Sequence, residues 1–454
     1  MNPEFERNLW LEAAPRRMAG AGVILAVIYG ATALVARTAD PRMLIAALGT
    51  AGMVVFVASG LVWAGWAAGS SILDEIRGRT WEFQRLSALT PWMMTWGKLF
   101  GAGALAWLTA LTGLAAVGVA AAEARGATYA LELVVGLTGL AVFVQSCAMG
   151  AALIGVRKAR AEGRIATGGA VVLGVFGGLV LLSAFSSSLP LGEMRFLGGA
   201  RFGQLDGPPV TWWGLAIPAM AFIGLSLCAF AAWGLVSAWR LMRLELQMRN
   251  TPWVWVGFLV FAGAWRAGLA PEMGGMAAQA MTAALVFIAA AYICAFVEPA
   301  DAVKLRRFMA ALRSGHWLRA ADLAPAVLFA VKLAGLAVIA FCLLPQPFGT
   351  PLPTAFAALA ALAFMIRDLG VITLFRFGPR AGRGDLTAVI ALALLYWVGG
   401  LVGMIIYGEL GRALFSPLVE TAAGLSLVSG LVQAGLAWWL AAQRLRGPKV
   451  VDAS

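Results

Sequence analysis

Between Ser71 and Gly101 the sequence reads SILDEIRGRTWEFQRLSALTPWMMTWGKLFG, and Asp74, Glu75, Arg77, Arg79, Glu82 and Arg85 fall within one short part of it. Long apolar runs flank the stretch on both sides, and none of these charges sits in hydrocarbon cheaply. Read as one helix over 71–90, Ile72, Ile76, Phe83 and Leu86 gather on one side and the charges mostly elsewhere, as in a helix lying on a bilayer surface. Pro91 ends it, and Gly97-Lys98 stands near the start of the next apolar run. Two uses fit such a segment: a docking handle for a soluble partner, or a solvated loop whose charges only enforce topology.

The chemistry that is missing narrows the choice. No G-x-x-x-x-G-K-[ST] phosphate loop occurs, because Gly97-Lys98 is followed by Leu99, so the chain is not expected to hydrolyse ATP. His316 is the single histidine, which removes both a multi-histidine metal site and a Ser/His/Asp set. Cys147, Cys228, Cys294 and Cys342 lie inside apolar runs, form no CxxC pair and read as small buried residues. No paired carboxylates of the kind a proton-coupled pump uses stand out inside the spans, and Glu132 and Glu298 read as interfacial. Lys98 and Lys332 are the least comfortable charges. Each lies in the first turns of a span, where it can snorkel to the headgroups or serve in helix packing or coupling. Trp92, Trp96, Trp212, Trp213, Trp253 and Trp255 sit near span ends as an aromatic belt.

The chain that positions these residues has 454 of them, 61% hydrophobic and only 12% charged. A soluble chain carries about twice that charge, so this composition predicts an all-α polytopic membrane protein. A formal net charge of +12 is explained by Lys and Arg retained beside anionic lipid, without nucleic acid. Residues 1–18 read as an amphipathic entry helix, with Phe5, Leu9 and Trp10 toward lipid and Glu4, Glu6 and Arg7 toward water. The acidic, aromatic start NPEFERNLWLE is unlike the basic region of a secretory signal. Spans are expected at about 19–36, 43–68, 93–121, 132–156, 166–186 and 213–238, then at 253–268, 276–296, 323–344, 353–375, 386–407 and 419–442, with shorter runs such as 253–268 open to a re-entrant reading. A Gly- and Pro-rich outer loop is expected over 187–212. With twelve spans and both termini cytoplasmic, only Arg37, Arg42, Arg125, Arg195, Arg201, Arg266 and Arg412 of the 34 basic residues remain outside, and the four arginines of 367–383 count as cytoplasmic.

The second half repeats the first. LTPWMMTWGKLFG at 89–101 reads against LAPAVLFAVKLAG at 323–335, with Leu, Pro, Lys, Leu and Gly at one spacing. VRKARAEGR and FRFGPRAGRG close the fourth span of each half. Duplication then gives two parallel six-helix halves, 1–249 with a coupling helix at 71–90 and 250–454 with a charged loop at 298–322.

Glu75, Gly78, Thr80-x-Glu82, Ser87 and Gly97-Lys98 fall in an order that resembles the coupling region of the type-2 ABC exporter permease family, roughly E-R-x-x-G-T-x-E-x-L-x-x-S-P-L-S followed by G-K. Ala88 stands where that family usually has proline, Pro91 comes three residues late, and Arg79 separates Gly78 from Thr80. The resemblance implies the membrane-spanning subunit of an ABC transporter in a bacterial-type inner membrane. It implies export through the spans, and a separate ATPase subunit carrying the ATP and Mg that this chain does not. It also gives Glu75, Arg77, Thr80, Glu82, Arg85 and Ser87 a role in contacting that ATPase. Typical members have six spans and pair, so twelve imply a fused pseudo-dimer, with a homodimer as the alternative. Two rivals remain. One is an ion-coupled secondary transporter of 6+6 helices, although RFGPRAGRG, similar to a basic loop of the major facilitator class, follows the fourth span of its half rather than the second. The other is a non-transporting membrane scaffold or membrane-embedded enzyme. Few charges inside the spans favour an apolar or amphipathic cargo.

Overall fold

A computed structural model of the chain describes residues 2–87, 89–161, 174, 209–270, 274–345, 351–378, 384–417 and 422–445. Among these, ten helices are long and apolar enough to cross a membrane, and Trp253–Ala267 is a shorter apolar helix. The chain is thus a helical polytopic membrane protein, with one small two-stranded ribbon among the described residues. Apart from residue 174, the fifth expected span, 166–186, lies outside the described residues.

The chain divides into two compact units. One comprises Met1–Arg160, Arg164–Thr211 and Leu215–Asn250; the other comprises Thr251–Ser454 with two short pieces from earlier in the chain. In the first unit, Pro15–Ala39 presents Val23, Ile24, Val27, Leu34 and Val35 to its surroundings, a surface suited to lipid and not to water. The next span runs from Pro41 to Arg77 and carries a π-helical segment at Val57–Trp63. Gln145, fully buried in the helix Ala127–Ala161, donates its side-chain amide to the carbonyl of Gly60 in that segment at 3.0 Å and accepts from Trp107 Nε1 at 3.1 Å. A buried amide in an apolar span is thereby satisfied.

Small residues bring the spans together, as lipid-solvated helices require. The helix Ala104–Arg125 meets the second span at Gly113 and Gly52, where a Cβ on Gly113 would lie 2.5 Å from the Gly52 carbonyl oxygen. The sixth expected span starts later than the sequence suggests. A strand pair, Val210–Trp212 and Leu215–Ile217, precedes Pro218, and the helix runs Ala219–Glu245. Trp213 and Gly214 have φ of 51° and 79°, the left-handed pair that a two-residue hairpin turn needs.

In the second unit the helices Trp253–Ala267, Gly275–Val297, Ala326–Leu343, Pro351–Arg376, Gly384–Tyr407 and Ala423–Leu445 lie within a few residues of the six expected spans. Leu259, Phe287, Ala291, Ala330, Ala334, Met365 and Leu369 form its main core. A π-helical segment at Leu394–Gly399 interrupts the fifth of these helices.

The close approach at Gly113 yields a direct test. Gly113→Ala should lower stability in detergent by about 1–3 kcal/mol, because backbone and not a flexible side chain occupies the space. Gly22→Ala, which meets nothing within 4 Å, should leave stability unchanged or slightly raised. Equal melting of the two variants would refute the glycine-mediated contact.

Candidate functional site

Where one surface helix over 71–90 is expected, the chain forms three pieces. The second span continues through Asp74 and Glu75 to Arg77. Gly78, Arg79 and Thr80 then turn, with Arg79 in the left-handed region at φ 57°, and a short helix follows at Trp81–Leu86. Pro91 opens a short helix, Pro91–Trp96, that leads through a π-helical segment and a turn to the third span at Ala104, and Thr90 caps it by accepting from the Met93 amide at 3.2 Å. The break is local. Thr80 folds back, its amide and hydroxyl both donating to the Glu75 carbonyl at 3.0 and 3.2 Å, which ends the helical ladder. Phe83 and Leu86 do not share a buried face with Ile72: they are exposed, while Ile72 is fully buried.

Beneath this turn lies a buried group of charges. Lys98 sits in a π-helical segment, Gly97–Gly101, and none of its side chain reaches solvent. Its Nζ donates to Glu4 at 3.0 Å and to Glu75, and it stands 5.6 Å from the centre of the Trp81 ring. Arg7 closes the ring of charge, donating to Glu75 at 2.6 Å and to Glu4 at 3.0 Å. Gln84 donates to Glu75 at 2.6 Å, and Asn8 donates to Glu4 at 3.2 Å and to the Gly97 carbonyl at 3.3 Å. Two cations and two carboxylates therefore cancel, and the acceptor oxygens are shared among several donors, which is what makes a desolvated ion pair tolerable.

Four elements meet at Lys98: the N-terminal helix Pro3–Glu12, the end of the second span, the short helix Trp81–Leu86 and the start of the third span. Two expectations are corrected here. Glu4 does not face water but is almost fully buried. Lys98 does not snorkel to the headgroups, because its counter-charges lie inside the protein. The N-terminal helix can bring Glu4 this close because Gly97 has no side chain; a Cβ there would lie 2.6 Å from Glu4 Cγ.

The other sequence candidates are placed differently. Glu75 belongs to the buried group. Arg77 pairs with Asp74 at 3.6 Å on the surface. Glu82 and Ser87 are exposed on and just after the short helix, and the Ser87 hydroxyl donates to the Gln84 carbonyl at 2.6 Å. The side chain of Arg85 lies outside the described residues. Lys332 is exposed on its helix, and Gly335, the counterpart of Gly101 in the repeat, has nothing within 4 Å. The two copies of the Pro-x6-Lys pattern thus hold their lysines in opposite surroundings.

The second unit carries a polar group inside the expected span 353–375, whose arginine the charge count places on the cytoplasmic side. Arg367 and Asp368 are almost fully buried in the helix Pro351–Arg376, which continues roughly 13 Å beyond Arg367. Asp368 accepts from Arg367 Nε at 2.8 Å, from Tyr292 at 2.6 Å and from Tyr396 at 2.8 Å. Arg367 donates to Gln433 at 2.9 Å and lies 4.5 and 4.6 Å from the ring centres of Phe364 and Tyr396. Tyr396 belongs to the π-helical segment, and Gln433 in turn donates to the Leu414 carbonyl at 2.7 Å. Consecutive Arg and Asp inside a long apolar run are the signal that could have marked this group. Glu4, Arg7 and Asn8 carried a weaker one: spacing on one helical face.

Among the described residues no cluster of His, Cys, Asp and Glu could hold a metal ion. No family model matches the chain, and no curated protein or solved structure matches it.

The buried lysine gives a second test. Lys98→Ala removes the one fully buried cation and leaves Glu4 and Glu75 to share the half-exposed Arg7, and should cost on the order of 3–5 kcal/mol of stability. Lys332→Ala should change it by no more than about 0.5 kcal/mol. Thermal unfolding in detergent measures both; a silent Lys98→Ala would remove the cluster's structural role.

Proposed function

We propose that this chain is the membrane-spanning permease subunit of an ATP-driven exporter of the type-2 ABC kind, working with a separate ATPase subunit. One observation carries most of the weight. The segment that resembles the family's coupling region is exposed at Glu82, Phe83, Leu86 and Ser87 yet rooted, through Glu75 and Gln84, on a lysine at the start of a span. A partner that pushes on the exposed side therefore pushes on the third span. In this reading ATP binding closes the ATPase pair, and Trp81–Leu86 passes the displacement to Lys98 and to the N-terminal helix. Glu82, Ser87 and Arg77 meet the partner from the surface, whereas Glu75 acts from below as a positioning residue. ATP and Mg stay on the ATPase. An apolar or amphipathic cargo suits the composition of the spans.

A specific observation also favours the second reading, an ion-coupled secondary transporter. Ionisable residues inside a span commonly mark ion or proton paths, and Arg367–Asp368 is such a pair. Asp368 is, however, saturated by Arg367, Tyr292 and Tyr396, an arrangement better suited to holding helices than to releasing a proton. The exporter reading ranks first for that reason.

Both termini are placed in the cytoplasm in this proposal, with two six-helix halves acting as a fused pseudo-dimer. The contact under 71–90 is the dominant one, since 298–322 lacks the Thr-x-Glu pattern. Charge reversal, Glu82→Lys, should reduce copurification of the ATPase several-fold while membrane insertion and melting stay unchanged. Undiminished copurification by an inserted variant would contradict the docking assignment. Native mass spectrometry should find one copy of this chain for two ATPase subunits. Two copies for two would replace the pseudo-dimer with a homodimer.

A further inference from the structure

The segment between Glu298 and Pro325 is bound to the ends of two spans. It forms the helix Ala302–Arg313, a turn at Gly315 with φ 72°, and the helix Trp317–Leu323. The Glu298 carboxylate, at the end of the helix Gly275–Val297, takes the Ala326 amide at the start of the next span at 2.8 Å and Lys304 at 2.8 Å. One carboxylate therefore ties both span ends and the first turn of the surface helix together. Arg376 donates to the carbonyls of Ala295 and Glu298 and closes the same corner. The helix pair is thus held at the level where the spans end and cannot swing far from it.

What it presents there is basic and apolar together. Ala302–Arg313 turns Leu305, Phe308 and Ala311 inward, while Arg306, Arg307 and Arg313 are exposed. Trp317 and Leu318 follow, 69% and 82% exposed. Over 298–322 five Lys and Arg stand against three Asp and Glu, whereas 71–90 has three of each. A protein-docking segment has no need of that excess. An anionic membrane surface attracts it, at about 1 kcal/mol per basic residue near the headgroups, and tryptophan beside leucine is the side-chain pair that enters the headgroup boundary.

We propose that the helix pair 302–323 binds anionic phospholipid, with Arg306, Arg307 and Arg313 on the headgroups and Trp317 and Leu318 at the acyl boundary. This surface would anchor the second unit to the bilayer, and its occupation by lipid leaves 71–90 as the principal protein contact. The inference needs only the membrane-spanning fold and stands whether or not the exporter reading does.

The test uses the full chain with its four cysteines replaced and Leu318→Cys carrying an environment-sensitive fluorophore. It is reconstituted into phosphatidylcholine vesicles containing equal amounts of either brominated phosphatidylglycerol or brominated phosphatidylcholine. Quenching by the phosphatidylglycerol should be about twofold stronger or more, and the difference should shrink toward parity at high salt. The added substitutions Arg306→Gln, Arg307→Gln and Arg313→Gln should abolish it without changing the melting temperature. Equal quenching by the two lipids would overturn the proposal. So would absence of quenching, or a fluorophore shielded by a copurifying ATPase, which would make the occupant a protein. The salt series on the unsubstituted arginines decides the matter even if the triple variant folds poorly.

Discussion

A lysine removed entirely from water must be met by its own counter-charges, and the arrangement of the first unit's surface end follows from that demand. Lys98 lies just before the third span, and the groups around it come from three other elements: Glu4 from the N-terminal helix and Glu75 from the end of the second span neutralise it, and Gln84 from the short helix after the turn holds Glu75. Removing one partner strands another, and a buried unpaired charge costs far more than the pair contributes. The site is therefore cooperative. The turn at Gly78–Thr80 brings Trp81 and Gln84 over Lys98, and the bare backbone at Gly97 admits Glu4.

The same constraint has other solutions in the second unit. Lys332 stays exposed and so needs no cage. Glu298 does instead for the second unit what Glu75 does for the first: a carboxylate at the end of one span reaches the beginning of the next. Inside the helices, Arg367 carries its neutraliser next to it as Asp368, and two tyrosine hydroxyls and a glutamine complete the shell. Three helices besides its own contribute to that shell. The pair therefore serves as a fixed point for the unit's interior, in a place where hydrocarbon offers no competing hydrogen bonds.

Most span positions were legible in the sequence because a bilayer imposes length and apolarity on every crossing segment; five of the six expected spans of the second unit correspond to helices long enough to cross, and the expected span 253–268 corresponds to the shorter apolar helix Trp253–Ala267. The charged stretch at 71–90 was legible as a distinct segment, but its break was not. Ile72, Ile76, Phe83 and Leu86 keep a helical rhythm across Gly78, and the left-handed Arg79 and the return of Thr80 to the Glu75 carbonyl interrupt it. The burial of Glu4 depends on a contact 93 residues away in the chain, and an acid on an amphipathic terminal helix ordinarily faces water. Arg367 falls inside the expected span 353–375 yet counts among the cytoplasmic basic residues, because basic residues usually mark span ends. Its helix runs on to Arg376, and its partner was the adjacent residue all along.

The central claim is that Lys98 and Glu75 act as one unit tying the turn after the second span to the start of the third. A double-mutant cycle on Lys98→Met and Glu75→Gln, followed by reversible unfolding of the full chain in detergent, tests it most directly. The double variant should be less destabilised than the sum of the two single variants, with a coupling energy of about 1–3 kcal/mol. Effects that add to within about 0.5 kcal/mol would show that the two residues act independently and would contradict the account.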